Sequence, residues 1–140
     1  MERHFVLPGD PVPQPRPRFK VVQGHATAYT PRSHPVVPYR QGIALVAQAA
    51  GVQPLGGSVE IELTFVFARP KSHFTKSGLS STALPRPRPD WDNLAKAVCD
   101  ALKGIAYRDD SQVVRSLVVK RYAVDGEEPR TVVAFREVGP

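Results

Sequence analysis

Fifteen of the 140 residues are proline, about twice the usual share, and most fall in three clusters at 8–17, 31–38 and 85–89. Proline fixes φ and leaves the backbone without an N–H donor, so such stretches serve poorly as helix interior or central strand. Regular elements are therefore confined to the windows between the clusters. Each cluster is short and flanked by patterned sequence, and no repeat recurs at a 20–50-residue period. The chain reads as a single domain, residues 1–140.

The windows differ in character. Residues 5–7 form a short strand closed by Pro8-Gly9. Residues 19–22 and 26–30 flank Gln23-Gly24-His25 and predict a hairpin. From Val36 or Tyr39 to Ala50, the residues Ile43, Val46, Ala47 and Ala50 recur at helical spacing, with Gly51 as the stop. Residues 59–68 alternate, placing Val59, Ile61, Leu63, Phe65 and Phe67 on one face of a strand. A loop at 69–89 follows, of a length that is usually functional or disordered. Residues 92–103 predict a helix ending at Gly104, and 113–124 and 131–138 predict strands. Asp125-Gly126 between the last two strands predicts that they pair as an antiparallel hairpin. Without a regular βαβ rhythm, the expected class is α+β, a small domain whose mixed or mainly antiparallel sheet packs with two helices.

Composition removes several function classes. The longest apolar runs, 43–47 and 63–68, fall far short of the ~20 residues of a membrane span. Glu2-Arg3-His4 is unlike a secretory signal. The lone Cys99 forms no internal disulfide, which fits a reducing, cytoplasmic compartment. His4, His25, His34 and His73 are scattered without zinc-ligand spacing. The net charge of +6 is unevenly spread: residues 1–88 carry eleven basic and four acidic side chains, residues 89–140 eight and nine. Such a basic field favours polyanions, nucleic acid or anionic lipid, although a basic surface also serves solubility alone.

The acids concentrate where the basic half ends. Within Pro89-Asp90-Trp91-Asp92-Asn93-Leu94-Ala95-Lys96-Ala97-Val98-Cys99-Asp100, helical geometry sets Asp92, Lys96 and Asp100 within about 80° of arc, opposite Leu94, Val98, Ala101 and Ile105. Asp90 stands at the N-cap position, and Arg108-Asp109-Asp110-Ser111 adds two carboxylates before the next strand. One reading is structural: a cap, a dipole partner, an i,i+4 ladder and a turn. The other is catalytic. Clustered carboxylates repel one another unless a cation bridges them, and Mg²⁺ is typically held by one or two carboxylates plus phosphate. Carboxylates within a positive field suit metal-dependent phosphodiester hydrolysis.

At these residues the sequence resembles the RusA-type Holliday junction resolvases, small prophage- and phage-associated endonucleases. The resemblance rests on Arg88-Pro89-Asp90-Trp91-Asp92-Asn93-Leu94-x-Lys96, Asp100-Ala101-Leu102-x-Gly104 and Asp109-Asp110-Ser111-Gln112-Val113. It extends to Leu7-Pro8-Gly9-x-Pro11, Pro15-Arg16-Pro17-Arg18, Tyr29-Thr30-Pro31 and Arg69-Pro70-Lys71-Ser72-His73. It implies a Mg²⁺-dependent homodimer, with Mn²⁺ as a substitute, that resolves four-way or branched DNA by paired symmetric nicks in recombination and repair. By matching positions, Asp90, Asp92 and Asp110 are the implied metal-binding and catalytic carboxylates, and Lys96 the essential base. Asp109 is the neighbour that competes with Asp110 for the role.

Further expectations concern DNA. Arg16, Arg18, Lys20, Lys71, Lys76, Arg86 and Arg88 are candidates for phosphate contact, against a purely solvated role. Phe74 is a candidate wedge at the junction centre, or a loop aromatic packed on its own core. Trp91 is expected as a core anchor, and Asn93 as either a water-orienting or a helix-start residue. A non-catalytic branched-DNA-binding dimer and an RNA-binding module are the rival readings. Retention of the three Asp positions and Lys96 speaks against the first. The low aromatic content, 8%, speaks against the second.

Overall fold

The proline clusters bound the elements much as their chemistry requires. In a computed structural model, which describes residues 2–139, the chain runs β1 (Glu2–Pro8), β2 (Arg18–Val22), β3 (His25–Tyr29), α1 (Val36–Ala49), β4 (Val59–Phe67), β5 (Phe74–Thr75), β6 (Gly78–Leu79), α2 (Trp91–Leu102), β7 (Val113–Tyr122) and β8 (Arg130–Glu137). Single 3₁₀ turns lie at Lys71–His73 and Asp110–Gln112. Among the described residues Pro38 alone of the prolines enters a helix, in the first turn of α1, where its missing N–H leaves no intrahelical bond unmade.

The main sheet has the order β1-β8-β4-β7. β4 pairs antiparallel with β8 and parallel with β7, so the expected β7–β8 hairpin does not form. The turn around Asp125-Gly126 reverses the chain, but β8 returns on the far side of β4. The physical reason is the apolar content of β4: Val59, Ile61, Leu63, Phe65 and Val66 are all buried, and a strand of that kind belongs at the sheet centre. The path β4–α2–β7 is thus a parallel crossover, the connection that parallel strands require. The α+β class stands, with a mixed sheet and two helices.

The helices pack against each other, with α1 along β1 and α2 along β7. Ile43, Leu94, Val98 and Leu102 meet Leu63, Phe65, Val133 and Phe135 in one core. Glu60, which alternates away from that core on β4, pairs with Arg115 and Arg136. The β2–β3 hairpin turns at Gln23 (φ 51°) and Gly24 (φ 79°), and every residue of both strands is exposed.

The 69–89 segment carries structure of its own. Arg69 lies 4.1 Å over the Tyr122 ring and donates to the Leu84 carbonyl at 2.9 Å. His73 meets the same ring edge-on at 5.6 Å. The end of β7 thereby gathers both halves of the loop.

Candidate active site

The site is built on α2. Leu94, Ala97, Val98 and Leu102 are buried while Asp92 and Lys96 are exposed, so core burial of one stripe fixes the polar stripe outward. The helix begins and ends one residue before the 92–103 span expected from the sequence. Asp90 is its N-cap residue in extended conformation (φ −69°, ψ 138°), yet its side chain makes no capping hydrogen bond. That carboxylate is not spent on the helix. Asp92 Oδ1 accepts from the Asn93 N–H at 3.0 Å. Lys96 Nζ lies 3.7 Å from Asp100 Oδ1, so the ladder Asp92–Lys96–Asp100 is made in its second half.

The neighbouring acids divide their work. Asp109 caps the turn at Asp110–Gln112, accepting from the Ser111 N–H at 3.0 Å, and lies 3.2 Å from Lys103 Nζ. The Ser111 hydrogen bonds and Lys103 lower its pKa to about 2. Gln112 closes the reciprocal capping box: its Oε1 accepts from the Arg108 and Asp109 N–H groups, and its Nε2 donates to the Leu55 and Gly57 carbonyls. This anchor was readable as Asp109-x-x-Gln112, a capping-box spacing, but sequence reasoning gave Gln112 no role. Asp110 is exposed and lies beside the last turns of α2. There the Tyr107 hydroxyl donates to the Cys99 carbonyl at 3.1 Å. Burial raises the Tyr107 pKa, and Cys99 and Asp110 raise it further. Burial likewise raises Cys99, with Asp110 and Asp100 adding to the effect.

The acids therefore form a strip. Asp90 and Asp92 stand at the first turn of α2, Lys96 in its middle, and Asp100 and Asp110 toward its end. From Asp92 to Asp100 the helix rises roughly 12 Å. Among the described residues no three His, Cys, Asp or Glu side chains converge to enclose a metal ion. The donor set is nonetheless all carboxylate oxygen, which suits a hard cation that keeps its waters and takes one or two protein ligands plus phosphate. Asp90 and Asp92 fit that demand; a closed cage of three does not form.

The proline-arginine segment reaches the same end. The Gln14 N–H donates to the Asn93 carbonyl at 2.9 Å, and Arg40 donates to Gln14 Oε1 at 3.0 Å. These bonds dock the proline-arginine segment beside the first turn of α2. The six ion pairs among the described residues use only cations from Lys96 onward. Arg16, Arg18, Lys20, Lys71, Lys76, Arg86 and Arg88 are all exposed and make none of these pairs. Phe74 is 53% exposed. Trp91 is 58% exposed, which corrects its reading as a core anchor: it stands at the surface between Asp90 and Asp92. Lys120, absent from the sequence reading, donates from β7 to the Pro87 and Pro89 carbonyls at 2.9 and 2.7 Å.

A fold in which one helix displays acids beside unpaired arginines defines a domain suited to polyanion chemistry. The model of the family "Endodeoxyribonuclease RusA" matches residues 8–136, and the chain belongs to that family. Membership implies nuclease activity of the Holliday junction resolvase kind, and nucleases of this kind generally need a divalent metal. The chain is also similar to "Uncharacterized protein YqaN" of Bacillus subtilis (strain 168), 36% identical over an alignment of 140 positions that covers 96% of this chain and 95% of the relative. Among the described residues no helix is long and apolar enough to cross a membrane.

Proposed function

We propose that the protein is a Mg²⁺-dependent, homodimeric endonuclease that resolves four-way DNA junctions by paired symmetric nicks, in recombination and repair within the cytoplasm. One observation carries this reading: in a RusA-family chain, Asp90 and Asp92 project from a helix start against which the Arg16–Arg18 segment is docked. Asp90 and Asp92 would hold the metal, which supplies Lewis acidity for phosphodiester hydrolysis when bound, with Asp110, set toward the far end of α2, as the third carboxylate that the resemblance implies. Arg16, Arg18 and Lys20, with Lys71, Lys76, Arg86 and Arg88, hold the phosphate backbone. Lys96 places an ammonium on the same face as Asp92, where it offsets charge that develops on the scissile phosphate. Phe74 stands on the loop as a wedge. An isologous dimer carrying two sites matches the two-fold symmetry of a four-way junction.

Purified protein incubated with Mg²⁺ or Mn²⁺ and end-labelled four-way, flap and linear DNA tests the reading. The expected result is symmetric nicking of the four-way substrate, dependent on the ion. A second reading, a branched-DNA-binding dimer without turnover, draws on the open spacing of the acids. Tight junction binding without cutting under either ion would favour it.

A further inference from the structure

The segment that delivers Asp90 into α2 is poor in backbone donors. Arg86-Pro87-Arg88-Pro89 alternates with proline, so half of its residues lack an N–H and no strand ladder can stitch it down. The segment bends at Pro85-Arg86 and again at Arg88-Pro89 without a hydrogen-bonded turn to hold either bend. Its carbonyls still need donors, and Pro87 is buried. Among the described residues, residues 85–89 take hydrogen bonds from Lys120 alone.

Lys120 is an unusual choice for that place. It pairs with Phe65 in the β4–β7 register, on the face of the sheet that meets the core, and it is half-buried. An apolar side chain is the ordinary occupant of such a position. Its ammonium forms none of the ion pairs among the described residues. It is spent on two carbonyls that bracket Arg88, the second of which belongs to the peptide unit entering Asp90. A charged donor gives shorter and stronger hydrogen bonds than a neutral one.

We infer that Lys120 is a positioning residue: by clamping the Pro87 and Pro89 carbonyls to β7 it fixes the direction of the Asp90 carboxylate and of the Arg88 guanidinium. The inference rests on the endonuclease reading for its consequence, but not for its geometry. Lys120 itself touches no reacting atom in this role; it acts through the backbone it holds. The rigid sheet thus sets an acid whose side chain makes no capping bond of its own. Misplacement of a reacting group by about an ångström is enough to lower a rate by roughly 100-fold.

The test compares wild type, Lys120→Met and Lys120→Arg by two independent measurements. Hydrogen exchange followed by mass spectrometry reads the peptide spanning 84–95, with β4 and β8 peptides as folding controls. Single-turnover cleavage of a four-way junction at saturating protein reads the rate and the half-saturating Mg²⁺ concentration. Lys120→Met is expected to raise exchange in 84–95 while the controls hold. It should also raise the Mg²⁺ requirement and slow cleavage by about 10- to 100-fold; Lys120→Arg, still a charged donor, should recover part of each. Slower cleavage with unchanged exchange would mean that Lys120 meets the DNA directly, and it overturns the inference. Raised exchange with a rate and Mg²⁺ requirement within about twofold of wild type overturns it as well. If Lys120→Met does not fold, Lys120→Arg decides: its altered reach should raise the Mg²⁺ requirement, and wild-type behaviour refutes the clamp. If wild type cuts no branched DNA, the endonuclease reading fails, and exchange alone judges the clamp.

Discussion

Lys103 Nζ lies 3.2 Å from Asp109 Oδ1, tying the residue that ends α2 to the turn that precedes β7. The pair, with the Ser111 cap, commits Asp109 to structure, whereas Asp110 forms none of the ion pairs among the described residues. A consequence for pH follows. The Asp109 carboxyl is lowered from 3.8 to about 2, first by the Ser111 hydrogen bonds and then by Lys103. Because the folded value lies below the unfolded one, the stability it contributes is present above about pH 4 and lost as pH falls toward 2. Thermal unfolding across that window should show a steep fall for wild type and a shallower one for Asp109→Asn. Parallel curves for the two proteins would remove the ionised carboxylate from the account.

Asp90→Asn, Asp92→Asn and Asp110→Asn should each abolish cleavage while junction binding persists or tightens. Neutralisation removes a candidate metal ligand and at the same time lessens repulsion of phosphate. Asp90 makes no capping bond, so its replacement should leave the melting temperature nearly unchanged. Asp109→Asn is the internal comparison and should slow cleavage far less than Asp110→Asn. Wild-type cutting by any of the three variants takes that residue out of the site.

Much of this was legible in the sequence because proline and hydrophobic period act locally. Both helices, the β4 strand and the Gln23-Gly24 reversal all lie near where their residues put them. The β7–β8 partnership was not legible: Asp125-Gly126 specifies that the chain turns, whereas the strand beside which β8 comes to rest depends on the burial demand of β4. Trp91 was misplaced for a related reason. Helical spacing tells which residues share a face, not whether the sheet still lies beneath the first turn. Lys120 was invisible because its two acceptors are backbone carbonyls 33 and 31 residues away, and a carbonyl leaves no mark in the residue code.

Junction binding should weaken steeply with salt. Each phosphate contact contributes a log–log slope of roughly −0.9 on duplex DNA through counterion release. Arg16 and Arg18 sit in the segment that Gln14 docks onto Asn93, and neither joins an ion pair among the described residues. The double change Arg16→Ala, Arg18→Ala should lower affinity and flatten the slope by about one to two contacts. An unaltered slope moves the DNA track to the 69–89 loop.

Lys96→Ala should keep the fold and junction binding but lose most turnover. Its 3.7 Å contact with Asp100 involves a side chain 61% exposed, and such a pair contributes about 0.3–0.5 kcal/mol at most. Stability is therefore a poor reason for a lysine here. Loss of one electrostatic stabiliser of a transition state costs about 100-fold or more in rate. Lys96→Arg keeps the charge with another geometry and should recover only part of the rate. Single-turnover cleavage at saturating protein separates these cases, and a Lys96→Ala rate within about threefold of wild type would return the lysine to a surface role.

Trp91 gives the site an optical reporter. It is the only tryptophan of the chain, it is 58% exposed, and it stands between the two acids assigned to the reaction. An indole in water should emit at long wavelength. DNA laid across the first turn of α2 must either cover that ring or stack a base upon it, and stacking on an aromatic side chain amounts to about 1–3 kcal/mol per base. Titration with a four-way junction in the absence of divalent metal, so that nothing is cut, should therefore give a saturable blue shift or quench. Trp91→Phe keeps a flat ring and should hold affinity, whereas Trp91→Ala should weaken binding by roughly tenfold if a base stacks there. The affinities are read by gel shift, since both variants lack the reporter. Unchanged emission at a junction concentration that shifts all the protein in a gel would put the DNA elsewhere. The acids of α2 would then lie off the DNA track, which would count against their catalytic assignment.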